Sequence, residues 1–332
     1  MTPRRDGRGI CHDGILGSGA PQGLSVKFGF AIPAYGPWID RASMVDVIEA
    51  GEDLGYDSIW LPDHIAIPEY GKDYLLQPPF LEPLAACGWG MGRTRRVRFG
   101  VDVLVAPYRH PLQVAAVAGT WAHLEPGRFV LGVGIGYLRG EFEVLGVAPY
   151  EERAAMTEEF LRVIRHPPEG FILMPSDDVP LWVGGNTVKA QRRAALLGDG
   201  WHPLWIPADD YAKARELILR TRAEAGLSTE FTFSYSCSGV SLLESDPGNW
   251  PEPRERAPLG TEFSYSPAGI ADSDNRPRFV GTPDQVINDL RLIAEAGVDH
   301  VALRFGSMDI APLEQFAREV IPAFVGDAAS SQ

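Results

Sequence analysis

The chain has 332 residues, enough for two ordinary domains or one large α/β barrel, and 45% of them are apolar, enough to fill a sizeable core. A formal net charge of −14 repels phosphate backbones and anionic lipid headgroups, which argues against a nucleic-acid or membrane-surface role and for a protein that handles small molecules. Three cysteines, Cys11, Cys87 and Cys237, are odd in number and far apart, a pattern of reduced thiols in a cytoplasmic protein and not of a disulfide framework or a zinc site.

Residues 1–24 contain arginines but no continuous apolar stretch of the signal-peptide kind, and read as a flexible lead-in to a single domain over 25–332. No apolar run reaches the roughly 18 residues needed to span a bilayer. From there apolar segments alternate with helical spacings. Strands are expected near 26–32, 58–62, 98–105, 129–135, 180–184, 200–205, 231–237 and 300–305. Between them Met156, Phe160, Val163 and Ile164 keep one helical face, as do Val286, Leu290, Ile293 and Ala294. Pro283 after Thr282 suits a first helical turn. "AGEDLGYDSIWL", "AALLGDGWHPLW" and "AEAGVDHVAL" repeat one plan, in which a helix end meets a glycine (Gly55, Gly198, Gly297) suited to the left-handed region, then an Asp and an apolar strand. Continuous runs such as "FVLGVGI" mark parallel strands buried on both faces. Eight β–α units favour a closed (β/α)8 TIM barrel over an open doubly wound sheet. Residues 166–179 and 243–280 break the rhythm, and the second reads as an insertion after the seventh strand.

Reactive groups in such barrels gather at the carboxyl ends of the strands. In "GYDSIWLPDHIA" the second strand delivers Asp63 and His64 to that end. An imidazole there can give or take a proton during a redox step; the other reading is a capping aspartate beside a space-filling histidine. In "LWVGGNTVKAQRRAA" a strand runs into Gly184 and Gly185, and a helix starts after Asn186 or Thr187. Paired glycines at a helix N-terminus let backbone amides approach an anion such as a phosphate, or serve only a tight turn. "LGVGIGYLRGEF" carries Gly132, Gly134 and Gly136 without the surroundings of a dinucleotide fingerprint. It reads as a strand whose missing side chains let a flat ring lie against it. Arg109, His202 and Arg304, also at strand ends, are candidates for a substrate or an acidic cofactor tail, with ordinary salt bridges as the alternative. The histidines lack metal-ligand spacing, so no metal is expected.

These residues resemble the luciferase-like monooxygenase superfamily, and within it the deazaflavin branch that uses coenzyme F420. "GYDSIWLPDHI", "VLVAPYRHPLQVAAVAGTWAHLEPGRFVLGVGIGYLRGEFEVLGV", "PLWVGGNTVKAQRRAALLGDGWHPL" and "VGTPDQVINDLRLIAEAGVDHVAL" follow its consensus segments in order. The resemblance implies a bacterial-luciferase-type barrel with a flavin or deazaflavin across the mouth and His64 as proton partner; Asp63 is expected to fix that imidazole or to contact the cofactor directly. It also implies a non-prolyl cis peptide near Asp102-Val103 backing the ring, Gly134, Gly136 and Tyr137 along the ring or its side chain, and phosphate contacts from Gly184, Gly185 and Asn186. Some deazaflavin dehydrogenases carry a catalytic glutamate where this chain has Tyr137, with Glu141 further on. Because 166–179 is short, roofing of the site falls to 243–280, where Trp250, Phe263 and Tyr265 lie. The implied activity is hydride transfer between F420 and a small organic substrate, in a cytoplasmic homodimer. The rivals are an FMN-dependent monooxygenase fed by a separate reductase and a flavin-binding barrel without turnover.

Overall fold

The computed structural model describes residues 25–67, 79–147, 149–171, 173–174, 176, 178–248, 276 and 278–325. The lead-in at 1–24, most of the 243–280 insertion, and with it Trp250, Phe263 and Tyr265, lie outside the described residues.

Strands β1 (Lys27–Ala31), β2 (Ser58–Leu61), β3 (Arg98–Val101), β4 (Leu104–Val105), β5 (Phe129–Gly134), β6 (Leu181–Gly184), β7 (Gly200–His202), β8 (Thr232–Ser238), β9 (Ser241–Leu242), β10 (Val280–Gly281) and β11 (His300–Arg304) alternate with helices α1 (Arg41–Asp53), α2 (Pro83–Met91), α3 (Pro111–Leu124), α4 (Arg139–Leu145), α5 (Arg153–Arg165), α6 (Val188–Leu197), α7 (Ala208–Glu224), α8 (Pro283–Glu295) and α9 (Ala311–Glu319). The pairing runs β1–β2–β3–β5–β6–β7–β8–β11 and back to β1, every pair parallel. The chain is therefore a closed (β/α)8 barrel. The third position is split: β3 ends at Val101, a cis peptide joins Asp102 to Val103, and β4 resumes the pairing against Val133 and Gly134 of β5. A short parallel pair, β9 with β10, brackets the expected insertion.

Local chemistry explains several boundaries. Thr282 and Gln285 form a capping box that starts α8 with Pro283 in the first turn. Gly55 and Gly297 close their helices at φ 81° and 95°, where a side chain would be strained. Gly198 is different. Its backbone is extended (φ −114°), and glycine is needed because a Cβ would sit 3.0 Å from the Ala194 carbonyl and from Val183.

The large apolar core lies between the strands and the helices, while a smaller cluster of Ala31, Trp60, Val130, Trp182 and Ala302 lies apart from it. Residues two apart along a strand share a face, so Trp60 stands above Ser58, and His202 above Gly200. Room for the two indoles comes from glycines: a Cβ on Gly100 would meet Trp60 at 2.4 Å and one on Gly200 would meet Trp182 at 2.6 Å. Each buried indole removes some 150–250 Å² from water, roughly 4 kcal/mol or more at about 25 cal/mol per Å². Small residues on the neighbouring strands are what make that burial possible.

Candidate active site

Because all strands of the ring run parallel, His64 after β2 and Gly184–Gly185 at the end of β6 share one rim, with β3, β4 and β5 between them. Pro62 lacks an amide hydrogen, and β2 ends before it. The next two residues then take separate partners.

His64 meets Glu141. Its Nδ1 lies 2.9 Å from Glu141 Oε2, which also accepts from the Tyr108 hydroxyl at 3.1 Å. The other carboxylate oxygen accepts from the amides of Ile65 (2.9 Å) and Ala66 (3.1 Å). Glu141 is buried at 1% exposure. Burial pushes its pKa up, but the hydrogen bond and charge of His64 and the two amides outweigh this, so the pKa lies below its usual value. Burial, then the adjacent carboxylate, raises the Tyr108 hydroxyl far above the phenol range, which keeps it a donor. An ionised carboxylate only accepts, so Nδ1 carries the hydrogen, and Nε2 is left facing the Tyr137 hydroxyl 3.4 Å away. The Tyr150 hydroxyl bonds to the Tyr137 carbonyl at 3.0 Å and steadies that loop.

Asp63 does not touch this cluster, and the expectation that it orients His64 is corrected. Its carboxylate is fully buried in a two-pronged ion pair with Arg109 (2.6 and 2.8 Å) and accepts the Val105 amide at 2.7 Å. Arg109 also binds Glu82 at 2.8 Å. Burial disfavours its charge, yet the two carboxylates raise its pKa above the usual value. Arg109 is therefore a structural clamp tying β2 to β4, with its guanidinium occupied. Neighbours on an extended chain point to opposite sides; that is why Asp63 and His64, adjacent in sequence, serve different partners.

The cis peptide falls at Asp102-Val103. Two further candidates, His202 and Arg304, turn inward to Asp102 and not out to a ligand. Arg304 pairs with the Asp102 carboxylate and donates to its carbonyl at 3.3 Å, and Ser236 donates to the carboxylate at 3.0 Å. His202 Nε2 lies 3.0 Å from the other oxygen, its N–H off the hydrogen-bond line. Burial raises the pKa of Asp102, but the Arg304 charge, the close contact with His202 and the Ser236 hydrogen bond carry it well below the carboxylate range. Val103, half-buried, fills the space above the glycines: a Cβ on Gly134 would meet Val103 Cγ2 at 2.4 Å, and one on Gly184 would meet Cγ1 at 3.1 Å. The missing side chains of Gly134 and Gly184 thus admit Val103 in place of an open slot for a flat ring. Gly136 (φ 74°) leaves room for Val105 in the same way.

At the β6 end, Gly185 has φ 110° and accepts the Trp201 indole N–H at 2.9 Å. Thr187 caps α6 by accepting from Ala190, and residues 185–189 are exposed. The Asn186 side chain is engaged with both backbone groups of Leu204 (2.6 and 3.2 Å), so it fixes the turn. First-turn amides have no acceptor within their own helix and favour negative charge. Among the described residues, no group of three or more metal-ligating side chains occurs, and no helix is long and apolar enough to cross a membrane. Tyr108 is a site residue that sequence reasoning missed, and Glu141, noted there only as lying beyond Tyr137, was not assigned to His64; the available signal was an acid in the first turn of the helix after a barrel strand.

A family model described as luciferase-like monooxygenase matches residues 23–246. The 4-hydroxyprotoasukamycin monooxygenase of Streptomyces nodosus subsp. asukaensis is 34% identical over 341 residues, covering 89% of this chain and 88% of that protein. An F420-dependent glucose-6-phosphate dehydrogenase of Intrasporangium calvum is 26% identical over 351 residues, covering 91% and 99%. Among solved structures, an F420-dependent secondary alcohol dehydrogenase in complex with an F420-acetone adduct superposes with a TM-score of 0.69 at 19% identity, covering 91% of this chain and 99% of that one. The oxygenating constituent of 3,6-diketocamphane monooxygenase of Pseudomonas putida, in complex with FMN, gives 0.68 at 16% identity, covering 91% and 99%. At such identities the structural likeness speaks for the fold alone. The family match over most of the chain and the barrel agree: the chain belongs to the luciferase-like monooxygenase family.

Proposed function

We propose that the protein is an oxidoreductase in which coenzyme F420 exchanges a hydride with a small organic substrate at the carboxyl-end mouth of the barrel. The observation that carries this reading is His64, held through Nδ1 by a buried carboxylate while Nε2 faces the Tyr137 hydroxyl at a strand end. The residues present suit a deazaflavin. Val103 offers a half-exposed apolar surface beside the glycine-lined end of β5. The exposed turn at Gly184, Gly185 and Asn186 presents amides at the head of α6 to an anionic tail. When bound, the deazaflavin supplies the two-electron hydride chemistry. The chain supplies the rest: His64 Nε2 gives or takes the proton that balances the transfer, Glu141 meets the positive charge that this places on the imidazole, and Tyr137 steadies the free nitrogen.

A second reading, an FMN-dependent monooxygenase served by a separate reductase, draws support from the monooxygenase relative and the FMN-bound structural neighbour. Equilibrium titration of the protein with reduced F420 and reduced FMN separates the two. Tighter binding of F420, with turnover lost in His64→Ala, supports the first; binding of FMN alone with oxygen-dependent turnover supports the second. Binding without turnover, unaffected by His64→Ala, leaves a non-catalytic flavin barrel, and binding of neither overturns all three. A single domain over 25–332 and a cytoplasmic homodimer are the organisation proposed with it, checked by limited proteolysis, fractionation and sedimentation.

A further inference from the structure

A chain of hydrogen bonds runs along the inside of the barrel, and the chemistry at the mouth does not account for it. The Trp60 indole donates to Ser58 Oγ at 2.9 Å, and Ser58 Oγ lies 2.7 Å from His300 Nε2. His300 Nδ1 lies 2.9 Å from Ser234 Oγ, which lies 2.7 Å from His202 Nδ1. His202 Nε2 reaches Asp102 at 3.0 Å. Ser58, Ser234, His202 and His300 are all buried at 2% exposure or less. The rings are clamped: Trp60 stacks on His202 (4.9 Å, 18° between planes) and on Trp182 (5.2 Å), and Trp182 meets His300 edge-on at 5.1 Å.

The two ends agree on one direction. An indole N–H only donates, and the Asp102 carboxylate only accepts. A bare imidazole nitrogen 3.0 Å from a carboxylate oxygen would be repelled, so His202 Nε2 carries hydrogen and Nδ1 accepts from the Ser234 hydroxyl. With that hydrogen used, Ser234 must accept from His300 Nδ1, and His300 Nε2 accepts from Ser58. Burial, then the Arg98 charge, holds the His300 imidazole neutral, as this order requires. The Arg304 and Ser236 contacts complete the coordination of Asp102.

We propose that this column is a positioning device: Ser58, His300 and Ser234 pass a fixed hydrogen-bond direction up the barrel to His202, whose Nε2 is thereby presented to the Asp102 carboxylate 3.0 Å away, and so hold the Asp102-Val103 segment where the mouth needs it. His202 and Ser234 are positioning residues acting through Asp102. The inference rests on the proposed function only in taking Val103 as the surface that backs a cofactor. Nothing in the direction of the chain depends on that.

Nitrogen-15 NMR of histidine-labelled, cofactor-free protein tests the direction. His300 is expected to carry its proton on Nδ1 and His202 on Nε2; the reverse at either ring, or a tautomer mixture in the wild type, overturns the proposal. In Ser234→Ala the His300 ring is expected to lose its fixed tautomer while His202, still facing the Asp102 carboxylate, keeps its proton on Nε2, and the dissociation constant for whichever of reduced F420 or reduced FMN binds the wild type should rise about tenfold, the equivalent of one hydrogen bond. If Ser234→Ala does not fold, Ser58→Ala at the far end is read instead: His300 keeps its proton on Nδ1 through Ser234, its Nε2 resonance shifts with the lost Ser58 hydrogen bond, and affinity falls by a smaller factor in the same direction. The expected change at His300 in either variant, with affinity within about twofold, well under one hydrogen bond, overturns the positioning role and leaves the proposed function standing. If neither cofactor binds the wild type, the positioning role and the proposed function fail together, while fixed tautomers still uphold the direction of the chain.

Discussion

Two buried carboxylates stand at the mouth of this barrel, and their partners separate structure from chemistry. Asp63 is neutralised by Arg109, whose guanidinium does not give up its proton in any ordinary range. That pair can only hold strands together. Glu141 is neutralised by an imidazole, a phenol and two amides, and the imidazole alone among these can exchange a proton near neutral pH. Burial and complete hydrogen bonding are common to both centres, so neither marks the reactive one. The identity of the cationic partner does.

Substitutions at the two centres should therefore fail in different ways. The largest effect on turnover is expected for His64→Ala, a fall in kcat/KM of roughly 10²- to 10⁴-fold with little change in Tm, since a general acid–base group is lost without opening the core. An equal loss of turnover and Tm would erase the contrast. Asp63→Asn is the mirror image: leaving Arg109 buried without its main counter-charge should cost about 3 kcal/mol or more of stability, measured as a shift in the urea midpoint, with kcat of the folded fraction kept. Glu141→Gln should sharpen the comparison through pH. The Glu141 carboxyl lies below its usual value in the folded protein, so its contribution is present above the unfolded glutamate range and is lost as pH falls through the lower folded value. Stability followed from about pH 7 to about pH 3, across the ordinary glutamate value, should fall less steeply in Glu141→Gln than in the wild type. Tyr137→Phe is the mildest, a drop in kcat of about threefold, the low end for one hydrogen bond, because the contact to His64 Nε2 is long at 3.4 Å.

The same contrast explains which parts of the site the sequence displayed. His64 was legible because a short apolar run ended by proline sends the next side chains to a rim, and parallel β–α alternation fixes which rim. Its partner was not. The adjacent Asp63 was the natural guess, whereas Glu141 lies 77 positions along the chain and reaches His64 through the curvature of the barrel and the placement of α4. Gly134 and Gly184 were likewise visible as places lacking side chains; that Val103 occupies the space depends on the break between β3 and β4. His202 and Arg304 do end their strands, whereas Arg109 lies beyond a helical turn that follows β4, and the direction each points was invisible in one dimension.

By itself the sequence determined the alternation of strands and helices, the closed barrel, the helix caps at Gly55, Gly297 and Thr282, and the delivery of His64 to the mouth. These follow from periodicity, glycine and proline, which act over a few residues. Tertiary structure alone decided that Glu141 and not Asp63 holds His64, that Val103 fills the glycine-lined space, and that two histidines and two serines join into one column under Asp102. Such pairings depend on distances between strands far apart in the chain, and no local preference encodes them.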